Sequence, residues 1–315
     1  MADNAHPTTT FEPAGDDDLG VVVGTDGSEI SYQAVAWAAG EADMRGCRLH
    51  IVTSYANPIV PGAMELEPGD LRDLRVQGQR VLADAARIAR HTVPGESLHI
   101  STELIFDDVT TALLERSRRA QVLVVGNRGL GAVRRAVLGS VSSVVARQSH
   151  CPAAIVHGVS ETEPESVPKP VVVGVDGSPN SEPAIEFGFA EASRRKVDLI
   201  AVHAWNDTTG FDAPVLGWES IHRTEDVLLG AALAGYAARY PEVTVHRVLA
   251  WDTPARVLLH HAESAQLVVV GSHGRSGITG ILLGSVSTAL LHTAPCPVVV
   301  VRQPSRNQAE EPAGR

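Results

Sequence analysis

Short runs in which every residue is apolar recur along the chain, separated by longer stretches with helical spacing; VLVVG at 122–126 and LVVVG at 267–271 are two of them. Strands that do not alternate with polar residues suit burial on both faces of a parallel sheet. The first half of the chain predicts strands near 20–24, 48–55, 98–105, 121–126 and 153–157, with helices near 29–45, 70–91, 109–119 and 140–149. The second half predicts strands near 171–175, 198–205, 243–250, 267–271 and 297–302. This alternation predicts an α/β fold class: two tandem doubly wound domains, each a five-stranded parallel sheet of Rossmann-like order 3-2-1-4-5 with helices on both faces.

The chain repeats itself. GTDGS at 24–28 returns as GVDGS at 174–178, and LHIVTSY at 49–55 as LIAVHAW at 199–205, both at an offset of 150. Further on, QVLVVGNRG at 121–129 returns as QLVVVGSHG at 266–274, and HCPAAIV at 150–156 as PCPVVVV at 295–301, both at 145. The first copy therefore has five more residues between 56 and 100, and the Pro/Gly/acid-rich NPIVPGAMELEPGD is where a loop insertion is expected. A period this long means duplicated domains rather than a solenoid. The expected division is a disordered tail at 1–18, domains at 19–157 and 170–302, an acidic, proline-rich linker at 158–169, and a second disordered tail at 303–315. The apolar fifth strand, PVVVV at 297–301, is too hydrophobic for an open sheet edge, so pairing of the two fifth strands is expected within one chain.

Composition narrows the partners. The charge is 26 − 37 = −11, and Lys and Arg are not clustered, so no nucleic-acid surface is expected. No apolar run reaches the roughly 18–20 residues that span a bilayer, and the first residues lack an export pattern, so the expected location is the cytoplasm, with no membrane partner. Cys151 and Cys296 are repeat-equivalent members of Cys-Pro pairs and, like Cys47, read as thiols rather than as a disulfide or metal site.

The candidate chemistry lies at predicted strand ends, where an open parallel sheet binds ligands beside the reversal of strand order. Asp26 and Asp176 follow strand one, Ser54 and Ala204 end strand two, and Gly126 and Gly271 end strand four. The pattern G-x2-G-x9-G-S runs through Gly126, Gly129, Gly139 and Ser140, and again through Gly271, Gly274, Gly284 and Ser285. Gly126, Gly129, Gly271 and Gly274 are expected to allow positive φ and close approach of a ligand, and Ser140 and Ser285 to cap a helix, with Ser142 and Ser287 adding hydroxyls in the first turn. Amides, hydroxyls and a helix dipole make a phosphate cradle that needs no lysine. The P-loop pattern is absent, and GNRGLG does not fit the dinucleotide pattern.

VVVGTDGSEISYQAVAWAAGEA and VVVGVDGSPNSEPAIEFGFAEA resemble the first strand and helix of universal stress proteins, and both glycine stretches resemble that family's ATP-binding loop. The tandem arrangement is similar to that of mycobacterial and other actinobacterial members. The resemblance implies two ATP per chain. Gly24, Asp26 and the backbone at Ser54 would meet the nucleoside in the first copy, with Gly126, Arg128, Gly129, Gly139, Ser140, Val141 and Ser142 around the phosphates. In the second copy Gly174, Asp176 and Ala204 take the first role, and Gly271, His273, Gly274, Gly284, Ser285, Val286 and Ser287 the second. The metal is left open, with magnesium accompanying ATP as the candidate. Two departures stand out: Asp252-Thr253-Pro254 is matched by Asp107-Asp108-Val109, and the rim carries Tyr55 and Phe106 in one copy, Trp205 and Trp251 in the other, which read as packing.

Phosphoryl transfer needs a metal and a group that orients the attacking oxygen, and no acidic cluster is fixed near the loops in the sequence. The expected function is therefore a nucleotide-dependent regulator or sensor in stress or growth arrest, and as a homodimer. A slow ATPase or autophosphorylating enzyme is the alternative, as is a structural module ordered by nucleotide.

Overall fold

The computed structural model describes residues 18–55, 68–95, 97–129, 138–158, 168–205, 218–274 and 283–303. Most of both expected tails, most of the linker, and the loop interiors 130–137 and 275–282 lie outside them. The first half runs β1 (Gly20–Gly24), α1 (Glu29–Arg45), β2 (Leu49–Ser54), α2 (Pro68–Thr92), β3 (Ile100–Ile105), α3 (Val109–Ser117), β4 (Ala120–Gly126), α4 (Ser140–Gln148) and β5 (Ala153–Val156). The second runs β6 (Val171–Gly174), a 3-10 turn (Pro179–Ser181), α5 (Glu182–Arg195), β7 (Leu199–Ala204), α6 (Trp218–Arg239), β8 (Val245–Ala250), α7 (Pro254–Ala262), β9 (Leu267–Gly271), α8 (Ser285–Thr293) and β10 (Val298–Val301).

The ten strands form one sheet of order β3-β2-β1-β4-β5-β10-β9-β6-β7-β8, which is the order 3-2-1-4-5 read twice from its two ends. Pairing is parallel within each half. Where the halves meet, β10 and β5 are antiparallel, with Val298 opposite Ile155 and Val300 opposite Ala153. The fifth strands thus cover each other's edges, as their hydrophobicity requires.

Uniformly apolar strands feed two cores. Val21 and Val23 of β1 pack with Ala38 of α1, Ala85 of α2, Phe189 of α5 and Leu233 of α6 on one face. Val22 packs on the other face in the core of Leu113 of α3, Val145 of α4, Leu258 of α7 and Leu290 of α8. Each core is continuous across both halves, so the duplicated units share one interior.

The repeat's length difference is not where the sequence suggested. The stretch from the end of β2 to the start of α2 equals that from β7 to α6, because Pro68 and Trp218 keep the offset of 150. Instead α2 has 25 residues against 22 in α6. The following connector, 93–99 against 240–244, supplies the remaining two residues. Pro68 begins α2, which a proline in the first turn permits; of the stretch read as a loop, 57–67 lie outside the described residues and 68–70 are helical.

A buried ionic cluster joins α1 to α5. Arg45 reaches Glu41 at 2.8 Å and Glu191 at 2.6 Å, while Arg195 reaches Glu41 at 2.5 Å and Glu191 at 3.0 Å. Arg194 adds a bond to Glu191 at 2.8 Å. The arrangement is two-fold: the Arg45 guanidinium lies over Phe187 and that of Arg195 over Trp37. Burial and the neighbouring Glu191 charge push Glu41 up to about 7, while Glu191 is lowered, with the arginines outweighing its burial. One carboxylate of the pair therefore carries the negative charge more readily than the other.

Candidate functional site

Each half presents the same crevice beside β1 and β4, or β6 and β9, where the strand order reverses. Its first wall is the Asp-Gly-Ser turn. In the first half the Ser28 amide donates to Asp26 Oδ1 at 3.0 Å, and Ser28 then caps α1 by accepting from the Ser31 amide at 3.2 Å. In the second half the Ser178 amide donates to Asp176 Oδ1 at 2.9 Å and its hydroxyl does so at 2.7 Å. The turn glycines, Gly27 at φ +85° and Gly177 at φ +74°, hold a left-handed backbone that other residues rarely adopt. The aspartates stand two residues beyond their strands.

The second wall is the glycine loop. A Cβ on Gly129 would fall inside Asp26 Oδ2 and lie 3.3 Å from its Cγ; one on Gly274 would stand 3.0 Å from Asp176 Oδ2. The aspartate of the first wall therefore faces the glycine of the second in both halves. These glycines, and Gly126 and Gly271, do not have positive φ, contrary to expectation. What they supply is space: a Cβ on Gly126 would stand 2.9 Å from Ile30, and one on Gly271 would stand 2.9 Å from the Asn180 carbonyl.

The loop is pinched at its base. The Gly139 amide donates to the Asn127 carbonyl at 2.8 Å, and Gly284 to Ser272 at 2.9 Å. Ser142 and Ser287 are buried, and each donates its hydroxyl at 2.7 Å to the carbonyl ending the fourth strand of its half, Gly126 or Gly271. These hydroxyls anchor α4 and α8 on the loop base. Ser140 and Ser285 are also not the caps: they are the first helical residues, and the cap positions are Gly139 and Gly284, which make no side-chain cap hydrogen bond. A glycine cap has no side-chain oxygen to accept from the first-turn amides. Val141 and Val286 follow, half-buried, in the first turn.

Arg128 and His273 occupy the same loop position, both half-buried. The atoms Asn127 Oδ1, Arg128 Nε and His273 Nε2 are buried and have no hydrogen-bond partner among the described residues, and such atoms are ordinarily satisfied by water, ion or ligand. His273 Nδ1 is hydrogen-bonded to the Ser272 hydroxyl at 3.0 Å. At the far side, Ser54 donates its hydroxyl to the Asp107 carbonyl at 2.8 Å, and Ala204 closes the equivalent strand. Gly24 and Gly174 sit beneath, against Leu113 and Leu258. The rim aromatics pair with each other, Tyr55 with Phe106 at 5.0 Å and Trp205 edge-on to Trp251 at 6.1 Å. Asp108 caps α3 by accepting from the Thr111 amide at 2.7 Å, whereas Asp252 accepts from the Thr253 amide at 2.5 Å and pairs with Arg256.

Among the described residues no group of three His, Cys, Asp or Glu side chains could hold a metal, and no helix is long and apolar enough to cross a membrane. The three cysteines are free thiols. Burial pushes Cys151 up to about 11 and Cys296 to about 12.

The sequence profile of the universal stress protein family matches residues 20–157 and again 168–302. The chain belongs to the universal stress protein family. A universal stress protein of Mycobacterium tuberculosis is 43% identical over 288 residues, spanning 90% of this chain and 97% of its own length. One from Mycolicibacterium smegmatis is 41% identical over 297 residues, spanning 90% of this chain and 97% of itself. Among solved structures, a universal stress protein from Archaeoglobus fulgidus superposes with a TM-score of 0.66 at 19% identity, covering 92% of this chain and 98% of that one, a likeness of fold. The tandem arrangement is therefore shared with family members of similar length.

Two groupings escaped the sequence reading. Glu41 and Glu191 recur at the offset of 150 in otherwise small and apolar helix stretches, and that repeat was the signal for the ionic cluster. His203 is buried beside the second crevice, where the first half has Thr53. A mismatch between copies gives no such signal.

Proposed function

We propose that this universal stress protein holds one ATP in each of its units, 19–157 and 170–302, and acts in the cytoplasm as a nucleotide-dependent regulator in stress or growth arrest. One observation carries the reading: in both halves an aspartate carboxylate stands directly against a loop glycine, with no room for a Cβ at Gly129 and little at Gly274, beyond the end of a strand where the sheet order reverses. The aspartates Asp26 and Asp176 would bind the ribose hydroxyls, as acceptors for two donors. Backbone at Ser54 and Ala204 would meet the base. The first-turn amides of α4 and α8, capped by glycine, would face the phosphates together with Arg128 or His273.

The residues fit the group. Three buried polar atoms in the loop bases lack a partner among the described residues, and the glycines leave backbone accessible at close range. ATP itself supplies a triphosphate whose charge suits oriented amides in a protein of net charge −11. The chain contributes binding and orientation. A homodimer remains part of the proposal, but β5 and β10 already pair within the chain, so its interface would use other surfaces.

Titration calorimetry with ATP tests the assignment. Gly274→Glu or Asp176→Ala is expected to remove binding from the second crevice and leave the first. An unchanged stoichiometry in both variants sinks the site assignment.

A further inference from the structure

Each fifth strand is followed by a residue that reaches into the other half. The carbonyl of Val156, which ends β5, accepts from the Asn127 amide at the base of the first loop at 2.8 Å. That of Val301, which ends β10, accepts from the Ser272 amide at the base of the second at 2.9 Å. The next residues are His157 and Arg302, repeat equivalents at the offset of 145. Continuing the antiparallel register of β5 and β10 sets His157 level with Cys296 and Arg302 level with Cys151, just past the ends of α8 and α4.

Both side chains supply a hydrogen bond that the opposite helix cannot make for itself. The carbonyl of Leu291, in the last turn of α8, has Pro295 four residues on, which has no N–H to give. The buried His157 places Nε2 3.0 Å from that carbonyl, and because a carbonyl only accepts, the ring nitrogen is the donor. The carbonyl of Arg147, in the last turn of α4, is left by the Cys151 amide, which turns to the Ser149 hydroxyl at 3.4 Å. Arg302 donates to it through Nη1.

These two helices are the ones whose first-turn amides are assigned to the phosphates. Each has nine residues. Near the first turn Ser142 and Ser287 fix them to the Gly126 and Gly271 carbonyls of their own halves, whereas at the last turn the donor comes from the other half. A helix of two and a half turns moves as one piece, so what holds its last turn also sets where its first turn points. We propose that Arg302 is a positioning residue for the first crevice and His157 for the second, so that each ATP site is completed by the opposite half of the chain. This rests on the ATP reading.

The test titrates ATP into one open crevice at a time in the full chain, using Gly274→Glu to leave the first and Gly129→Glu to leave the second. Arg302→Met keeps the stem and removes the donor. It is expected to weaken the first crevice about three- to tenfold, as the loss of one net hydrogen bond would, and to leave the second, which lies in its own half, within about two-fold. His157→Phe keeps a ring and removes the donor, and is expected to do the reverse. Arg302→Lys still carries a donor and should recover most of the loss. A merely structural role lowers stability in urea without crossing from one half to the other, so the crossed pattern is the deciding readout. If Arg302→Met does not fold, His157→Phe and Arg302→Lys still decide. Loss in the mutated residue's own half, equal loss in both crevices, or no loss in either overturns the inference alone. No ATP bound by the wild-type chain overturns the nucleotide reading and the inference with it.

Discussion

Gly129→Ala and Gly274→Ala make the same change at repeat-equivalent positions, and the structure predicts unequal results. Neither glycine has positive φ, so alanine adds no backbone strain and only space is tested. At 129 the new Cβ overlaps Asp26 Oδ2 and lies 3.3 Å from Cγ, so the carboxylate must leave its place. Turning that side chain off its rotamer costs about 0.5–1.5 kcal/mol. Losing the Ser28 amide bond to a charged oxygen costs about 1.5–3 kcal/mol more. The sum, roughly 2–4.5 kcal/mol, corresponds to about 30-fold to about 2000-fold weaker ATP binding in the first crevice. At 274 the new Cβ stands 3.0 Å from Asp176 Oδ2, and a shift of a few tenths of an ångström relieves it. The expected loss there is below about 1 kcal/mol, or about five-fold. Calorimetric titration of both variants reads the two losses on one scale. A Gly129→Ala protein with unchanged affinity, or a Gly274→Ala protein that loses more, would refute the facing of aspartate and glycine.

Glu191→Ala leaves Arg45 and Arg195 with Glu41 alone and removes the carboxylate bonded to Arg194, and is expected to destabilise the chain by about 3–5 kcal/mol in urea, with both halves unfolding together; a loss under about 1 kcal/mol would mean that the cluster does not join them. Glu103, bonded to Arg116 and at 2.9 Å to His50, is held down to about 2 against 4.5 for the free side chain. Its folded form binds fewer protons than its unfolded form between those values, so its contribution is present above about 4.5 and lost as pH falls towards 2. The stability gap between wild type and Glu103→Gln should therefore close over that interval, and a gap that persists at its acid end would contradict the pairing. Cys151 and Cys296, buried and pushed up to about 11 and 12, should resist a thiol reagent at about pH 8 until the chain is unfolded; rapid labelling of either in the native protein would show that the core beneath α4 and α8 opens.

What could be read from the sequence follows from how each feature is encoded. Uniformly apolar runs located β1, β4, β5, β6, β9 and β10 within a few residues, because burial on both faces leaves no position free for polar side chains, whereas the edge strands β3 and β8 mix polar and apolar residues. The repeat and the expected strand order placed an aspartate facing a glycine loop across one crevice in each half, but which glycine, Gly129 or Gly274, stands against it was not legible. The reason for each glycine was not legible. A glycine letter does not say whether its value lies in φ, as at Gly27, or in space, as at Gly129. The role of Ser142 was missed for a related cause: a hydroxyl in a first turn can serve a ligand or a carbonyl, and only packing decides for the Gly126 carbonyl. The five extra residues were assigned to a loop by composition, whereas a helix absorbs three of them without any change in its pattern.

The central claim is that the chain holds two nucleotides by one design. Native mass spectrometry of protein purified without added nucleotide tests it most directly. The account predicts two ATP per chain, reduced to one by either Gly129→Glu or Gly274→Glu and to none by both together. Nucleotide that survives in the double variant, or none in the wild type supplied with ATP, would contradict it.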